Sequence, residues 1–561
     1  MKKRILFLLL TLCLILSVFT LASCGKKDKK GGGEQTTAAT TDKWEILAPR
    51  ITMLPEDFRQ LKIEYSAYKS AGSKTSKNDV YLKGPDTIEA VGTPAIQIMV
   101  YERNRAAEAT LGTTVEFVSW DYAWGKQAGQ IDLVVKGNDP DAPDLFVNMI
   151  YDLNMELLNS SFKDVWSIPG SFFDFSTPGW QSVWMNNMSL TGDRAYVLGS
   201  DYFLDIMRVM TILPFNMDMM DKNAAKLGPV ILNEGESLGP GEKLSAYFID
   251  FVEKGNWTWD VLGKFCEAIW HDENGDGQDS IQDILGIIAD ENQGFSAGAF
   301  VYSCGETLVE EYKINDPNSA YYGKQWIKYA DDSAGLNQIF DKVKAVFDGH
   351  GSLSTSKDYS PSSNTPEKPG LAYHHTKFAK SEILFGGVCL LGTLEDATFQ
   401  NMTDLYSVLP CPKVDASKSY NTIIYNTGDA GAINVRTQPG KAKVLTAYLQ
   451  YCTERSVPIR EEFLQIVTKH KTTTYNQGTD RMLELIYDGI LYGRDKAIDD
   501  LIGDQARSGG RWHSMMKINH FSVGADFIAS EYKSLRAAKQ SLLDECLRTW
   551  YTLPKVEPDA E

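Results

Sequence analysis

What most constrains the fold of this chain is a regular exchange of two hydrophobic periods. Residues 61–65 (LKIEY) alternate apolar and polar side chains, the period of a half-buried strand. Pro94 then opens a helical pattern through about residue 111. There Ile98, Val100, Tyr101 and Ala107 fall on one side, and Gly112 stands in the C-cap position. Residues 114–118 read as the next strand, 126–135 as a helix and 144–148 as a strand. Thr258 is placed to cap a helix running to about 270, with Asp260 in its first turn. Strands are expected at 285–289 and 405–409 and a helix at 442–452. From about 461 the chain reads as mostly helical, including 481–487 and a long last helix over 525–550. Strands that alternate with helices build parallel α/β units. Residues 69–84, 227–243 and 352–370 read as loops from their polar, Gly-rich and Ser/Pro-rich compositions. No repeat occurs at solenoid periods.

The N-terminus has a different character. Lys2, Lys3 and Arg4 precede an apolar run over residues 5–21, followed by Ala22-Ser23-Cys24. A basic start, a short apolar stretch and a small-residue processing site make a secretory signal. The run is short for a membrane span, which needs ~20 residues. Cys24 after Leu-Ala-Ser resembles the lipobox of bacterial lipoproteins, which implies cleavage before Cys24, lipidation of its sulfur and an extracellular, membrane-anchored body. Residues 25–43 contain no apolar side chain larger than Ala and read as a flexible tether.

The net charge of −18 becomes three units more negative once residues 1–23 are removed, which argues against nucleic acid as a partner. A body of this length implies more than one lobe. Six cysteines remain besides Cys13 and Cys24. They are scattered without a C-x-x-C pair, which indicates neither a zinc site nor a disulfide framework.

Residues 272–283 (DENGDGQDSIQD) carry the sharpest local chemistry. Oxygen-bearing side chains stand at loop positions 1, 3, 5, 9 and 12, and a glycine at position 6, the spacing of a calcium-binding loop. Asp272, Asn274, Asp276 and Asp283 are the expected side-chain donors to a structural calcium ion, and Gln278 the carbonyl donor. Position 12 departs from the pattern in being Asp instead of Glu. Gly235–Gly239 matches G-x-S-x-G, but it lies in a Gly-rich stretch and lacks the strand and helix a nucleophile elbow requires. The seven histidines offer no H-x-x-x-H spacing and read as surface or packing residues. Aromatic side chains follow several expected strands. In open α/β sheets ligands bind beyond the carboxyl ends of strands, and flat rings there suit the CH faces of sugars. Trp120, Trp124, Asp152, Asp201, Tyr202 and Phe295 are the expected ligand contacts on that ground.

Several segments, in order, resemble the family 1 extracellular solute-binding proteins of bacterial ABC transporters. They are Tyr101-Glu102-Arg103-Asn104-Arg105, Trp257-Thr258-Trp259-Asp260 followed by the Asp-rich loop and Gly286-Ile287, Leu409-Pro410-Cys411-Pro412-Lys413 with Tyr420, and the helix that begins at Arg481. The resemblance implies a two-lobe, periplasmic-binding-protein-like (type II) α/β fold with a hinge. Lobe 1 is expected at 44–195 plus 414–456 and lobe 2 at 204–408 plus 461–561, with crossings near 195–203, 409–413 and 456–460. It also implies a monomeric, non-enzymatic receptor that captures a carbohydrate, expected to be an oligosaccharide, and delivers it to membrane permease subunits. A lipid-anchored surface glycan hydrolase is the alternative, since carboxylates are plentiful. Extra loops near 69–90, 228–243 and 352–370 mark a long-chain subgroup.

Overall fold

The computed structural model describes residues 42–68, 76–89, 92–123, 126–137, 139–289, 294–306, 308–354, 373–472, 476–505 and 525–553. Two compact units divide the chain. In Met1–Ile46 only the start of the helix Lys43–Thr52 is described; Leu47–Glu561 holds everything that follows.

Two sheets organise the larger unit. The first contains β1 (Gln60–Ser66), β2 (Thr114–Trp120), β3 (Leu145–Met149) and, from far along the chain, β12 (Asp429–Ile433), in the order β12-β3-β1-β2. β1 is parallel to β2 and β3, and β12 is antiparallel to β3. β3 and β12 are buried along their whole length and read as near-continuous apolar runs: β3 is central, and β12, at the end of the sheet, is covered by the bridge from Leu198 to Gly431. β2, at the edge, exposes Thr114, Glu116 and Ser119. The helix Ala95–Leu111 links β1 to β2. Pro94 stands at its N-cap, and Gly112 closes it in the left-handed conformation with its N–H bonded to the Glu108 carbonyl.

The second sheet is built from β4 (Thr211–Asn216), β5 (Leu285–Ala289), β8 (Ser352–Ser354), β9 (Ile383–Phe385) and β10 (Cys389–Leu390), with β11 (Tyr406–Leu409) also paired to β4. β6 (Val309–Lys313) and β7 (Gln325–Tyr329) form a separate antiparallel hairpin. Thr258 caps the helix Trp259–Ile269 through its hydroxyl, which accepts the Val261 N–H at 3.4 Å. The aromatic core here joins Phe215, Phe248, Trp257, Phe265 and Phe385. The sequence segments 257–260 and 409–420 meet in this core. Trp257 donates its indole N–H to the Pro410 carbonyl at 3.0 Å, and its backbone N–H bonds the Tyr420 hydroxyl at 3.1 Å. The Lys413 ammonium lies 4.6 Å from the Tyr420 ring centroid.

The strands pass between the sheets twice, the first passage overlapping the expected 195–203 and the second later than 409–413, and the helices after residue 456 return to the second sheet, where Tyr406 and Ser407 of β11 bond Val467 and Thr479. Leu198 is still bridged to Gly431 of β12, so the first passage lies between there and β4. Lys413 is still bridged to Thr258 beside the second sheet, so the return lies after it. The two passages run side by side, with the Tyr425 N–H on the Val209 carbonyl, the Thr211 N–H on the Ile423 carbonyl and the Asp429 N–H on Asp205. Gly431 admits this approach: a Cβ there would stand 2.4 Å from the Phe203 ring. Residue 456 separates the helices Pro439–Glu454 and Val457–Thr472.

Three expected loops differ in part. Asp79–Lys83 is a helical turn inside 69–84, and residues 69–75 lie outside the described residues. The helix Ala224–Ile231 runs into 227–243, because Leu227 and Ile231, one turn apart, are buried and anchor it despite Pro229. Ser352–Ser354 pairs with β5, while 355–372 lie outside the described residues. The remaining six cysteines are free and buried. His374 and His375 are buried against each other and Phe399, which makes them packing residues. Among the described residues no helix is long and apolar enough to cross a membrane.

Candidate functional site

Polar side chains interrupt the apolar strands of the first sheet near one end. Glu64 and Ser66 are two apart on β1 and share a face, Asn148 is next to last on β3, and Asp429 opens the antiparallel β12 opposite Met149. All four sit toward the carboxyl ends of β1 and β3, and all are buried. Asp152 joins them from the first turn of the helix Ile150–Leu157, whose leading N–H groups bond the Gly428 and Asn426 carbonyls.

The hydrogen bonding is incomplete in one sense only: acceptors outnumber donors. Asn148 donates its side-chain amide to Glu64 Oε2 at 2.6 Å, leaving Glu64 Oε1, Asn148 Oδ1 and the Ser66 hydroxyl without a partner. Asn78 donates to Asp429 Oδ2 at 2.5 Å and to the Ser66 carbonyl at 3.1 Å, leaving Asp429 Oδ1 without one. Asp152 Oδ1 accepts the Ala128 N–H at 3.3 Å and Oδ2 has no partner. Buried polar atoms are normally paired, so five at one place need an explanation. Burial pushes the Glu64 and Asp429 carboxyls well above the usual carboxylate range and Asp152 up to about 6. Neighbouring Asp152 raises Glu64 and Asp429 further.

Beside this cluster lies an ion network between the sheets. Arg208 bonds Asp205 at 2.5 Å and Glu395 at 2.7 Å, and Lys77 bonds Glu395 at 2.6 Å. Burial raises the Glu395 carboxyl, but Arg208 and Lys77 outweigh it and hold the group below its ordinary value. Lys77 and Asn78 both come from the long segment after β1, which thus reaches the helical turn Leu391–Glu395 that follows β10 and, at Asp429, the first sheet.

Of the ligand contacts expected from sequence, Asp152 is in the cluster. Trp120, half-buried, ends β2 with its ring 6.0 Å from that of Phe146. Tyr68 and Tyr122 make an edge contact at 5.1 Å nearby, and Asp152 and Asp429 both act on the Tyr122 hydroxyl. Asp201 and Tyr202 are elsewhere. Asp201 is buried under Arg460 at 2.9 Å and Gln181 at 3.3 Å. The Tyr202 ring is enclosed by Phe203, Tyr448 and the Arg103 guanidinium at 4.5 Å, so it packs the passage between the sheets and offers no face to a solute. Trp124 lies outside the described residues, and Phe295 is in the helix Gly294–Tyr302 with its side chain outside them. Glu64, Ser66, Asn78, Asn148 and Asp429 were missed. The available signal was a polar residue inside an otherwise apolar strand, as in LFVNM and DAGAI.

The Asp-rich loop turns its oxygens inward. Asp272 accepts the Gly275 and Gly277 N–H groups, each at 2.7 Å, and Asp276 accepts the Gln278 N–H at 2.8 Å. Asn274 accepts the Asp276 N–H at 2.9 Å. Buried Asp283 accepts from Glu273 at 3.1 Å and Ser280 at 2.7 Å. Among the described residues no three His, Cys, Asp or Glu side chains converge as metal ligands. A surface cavity of about 580 Å³ lies far from the cluster in sequence, lined by Tyr312, Tyr321, Trp326, Lys328, Arg536 and Asp544. Lys328 and Arg536 are already engaged by Asp331, and Asp544 by Trp326 and Gln540.

No protein-family model and no curated protein matches the chain. Among solved structures it is similar to the GacH receptor of Streptomyces glaucescens, crystallised unliganded and with acarbose, at 11% identity over 87% of this chain and 99% of that one, with a TM-score of 0.47. It is also similar to UspC of M. tuberculosis, at 11% identity over 86% and 100% with a TM-score of 0.47. A third is the cyclic α-maltosyl-1,6-maltose binding protein from Arthrobacter globiformis, at 9% identity over 87% and 99% with a TM-score of 0.46. These values are too low for a ligand to be carried from those proteins to this chain.

Proposed function

We propose that this protein is the solute-capturing component of a bacterial ABC importer, and that it binds a carbohydrate at the end of the first sheet. The observation that carries this reading is the set of buried, unpartnered acceptors on Glu64, Ser66, Asn148, Asp152 and Asp429. Hydroxyl groups of a sugar supply the missing donors, and rings such as Trp120 suit its CH faces. Two sheets joined by paired passages, and the ordered segments that resemble the solute-binding family, support the same reading. In it, lobe 1 (44–195 plus 414–456) and lobe 2 (204–408 plus 461–561) close on the solute, and permease subunits receive it. Cys24 carries lipid and holds the monomer on the outer face of the cell membrane. The loop at Asp272, Asn274, Asp276, Gln278 and Asp283 takes calcium in a structural role.

Titration calorimetry against a panel of oligosaccharides, followed by chromatography of the recovered sugar, tests the reading. Stoichiometric binding of sugar that returns intact is expected. Cleavage would establish the hydrolase alternative instead, which the rise of Asp152 to about 6 favours, because that value suits a general acid.

A further inference from the structure

The unpartnered atoms around Glu64 are not a mixed set. In their ionised form Glu64 Oε1, Asp152 Oδ2 and Asp429 Oδ1 only accept, as the Asn148 Oδ1 amide oxygen does in any case; the Ser66 hydroxyl can also donate. The partners these carboxylates do have are uncharged: the Asn148 amide, the Ala128 N–H and the Asn78 amide. Among the described residues no lysine, arginine or histidine lies within ion-pair range of Glu64, Asp152 or Asp429. The cations on the neighbouring elements are Arg208, whose charge reaches Asp429 without an ion pair, and Lys77. Both are engaged elsewhere, Arg208 on Asp205 and Glu395 and Lys77 on Glu395. The other titratable groups facing the cluster are Asp205 and Tyr122, neither of which supplies positive charge. Buried charge is normally paired, as at Asp201 with Arg460 and Asp499 with Lys539, and this site gathers three buried acids with no such partner.

A neutral sugar would satisfy the hydrogen bonds but leave the charge. A divalent metal would satisfy the charge, yet these carboxylates do not converge as metal ligands among the described residues. We propose that the solute carries a basic nitrogen, and that Glu64, Asp152 and Asp429 select an ammonium-bearing sugar over its hydroxyl counterpart. An ammonium group brings three donors and a positive charge to carboxyls that burial otherwise drives toward the neutral form, and so favours their ionised, accepting state. The inference rests on the proposed sugar-capturing function and names the chemical class that function would take.

The test is titration calorimetry of the full chain with matched pairs that differ only at C2: glucosamine and glucose, galactosamine and galactose, mannosamine and mannose, and fully deacetylated chitotriose against cellotriose. At least one amine is expected to bind about tenfold tighter than its hydroxyl partner, since hydrogen bonds to charged groups are the stronger kind. The preference should shrink in Asp152→Asn and in Glu64→Gln, each checked by circular dichroism for retained fold. Equal or tighter binding of the hydroxyl partners by the wild-type chain would overturn the inference while leaving sugar capture standing. Absence of binding across these pairs and a wider neutral panel would overturn both. An amine preference left intact in both variants would also overturn it, by removing these carboxylates from the selection.

Discussion

Asp152→Asn should stabilise the protein at neutral pH while weakening solute binding. The Asp152 carboxyl is pushed from its ordinary 3.8 up to about 6, chiefly by burial, with one backbone N–H as its partner. A raised folded-state value means that the folded chain binds the proton more tightly than the unfolded chain. The associated stability is therefore complete below pH 3.8 and is lost as pH rises through about 6. Each unit is worth about 1.4 kcal/mol, so the ionised group costs about 3 kcal/mol at pH 8. Asparagine keeps an acceptor for Ala128 and never ionises. Urea unfolding should show the variant about 2–3 kcal/mol more stable than wild type at pH 8, and within about 0.5 kcal/mol of it at pH 4. A gain of equal size at both pH values, or a loss at both, would refute the argument, because neither outcome follows from ionisation of a buried acid.

Arg103→Met should cost about 3 kcal/mol in the same assay. The guanidinium is buried, bonds Ser456, the Leu82 carbonyl and Asn104, and stacks on Tyr202, so its loss strands several acceptors. Trp120→Ala should weaken sugar binding about tenfold by calorimetry with an unchanged circular dichroism spectrum, since the ring is half-buried at the end of an edge strand. Calcium should raise the melting temperature above that in chelator, and Asp276→Ala should remove the shift; identical curves for the wild type would leave the loop a polar turn. Cys24→Ala should abolish incorporation of a labelled fatty-acid analogue in cells, and label retained in the variant would refute the anchor.

The strands and helices were legible because their periods are strong: β1, β3, β5 and β11 fall within a residue or two of the expected spans. The caps at Thr258 and Gly112 follow from local chemistry and appear as expected. The candidate site was less legible for a physical reason. Its members come from β1, β3, β12 and the segment around Asn78, far apart in sequence, and only sheet pairing brings them together. Asp152 was found because it follows a strand directly. Asp201 and Tyr202 met the same criterion, but the passage between the sheets is packed by Arg103, Arg460 and Tyr448, which bury them. Adjacency to a strand end does not reveal which face a side chain takes. The second passage is expected early because prolines 410 and 412 look like an exit from the sheet. In the fold Pro410 receives the Trp257 indole N–H, and Lys413 remains tied to Thr258.

The most direct measurement is a crystal structure of the protein with the tightest-binding sugar from the calorimetric panel. The account predicts sugar donors within hydrogen-bond distance of Glu64 Oε1, Asp152 Oδ2 and Asp429 Oδ1, with an intact glycosidic linkage. Sugar seated elsewhere, such as the cavity beside Trp326 and Arg536, with those three oxygens still unpartnered, would contradict it.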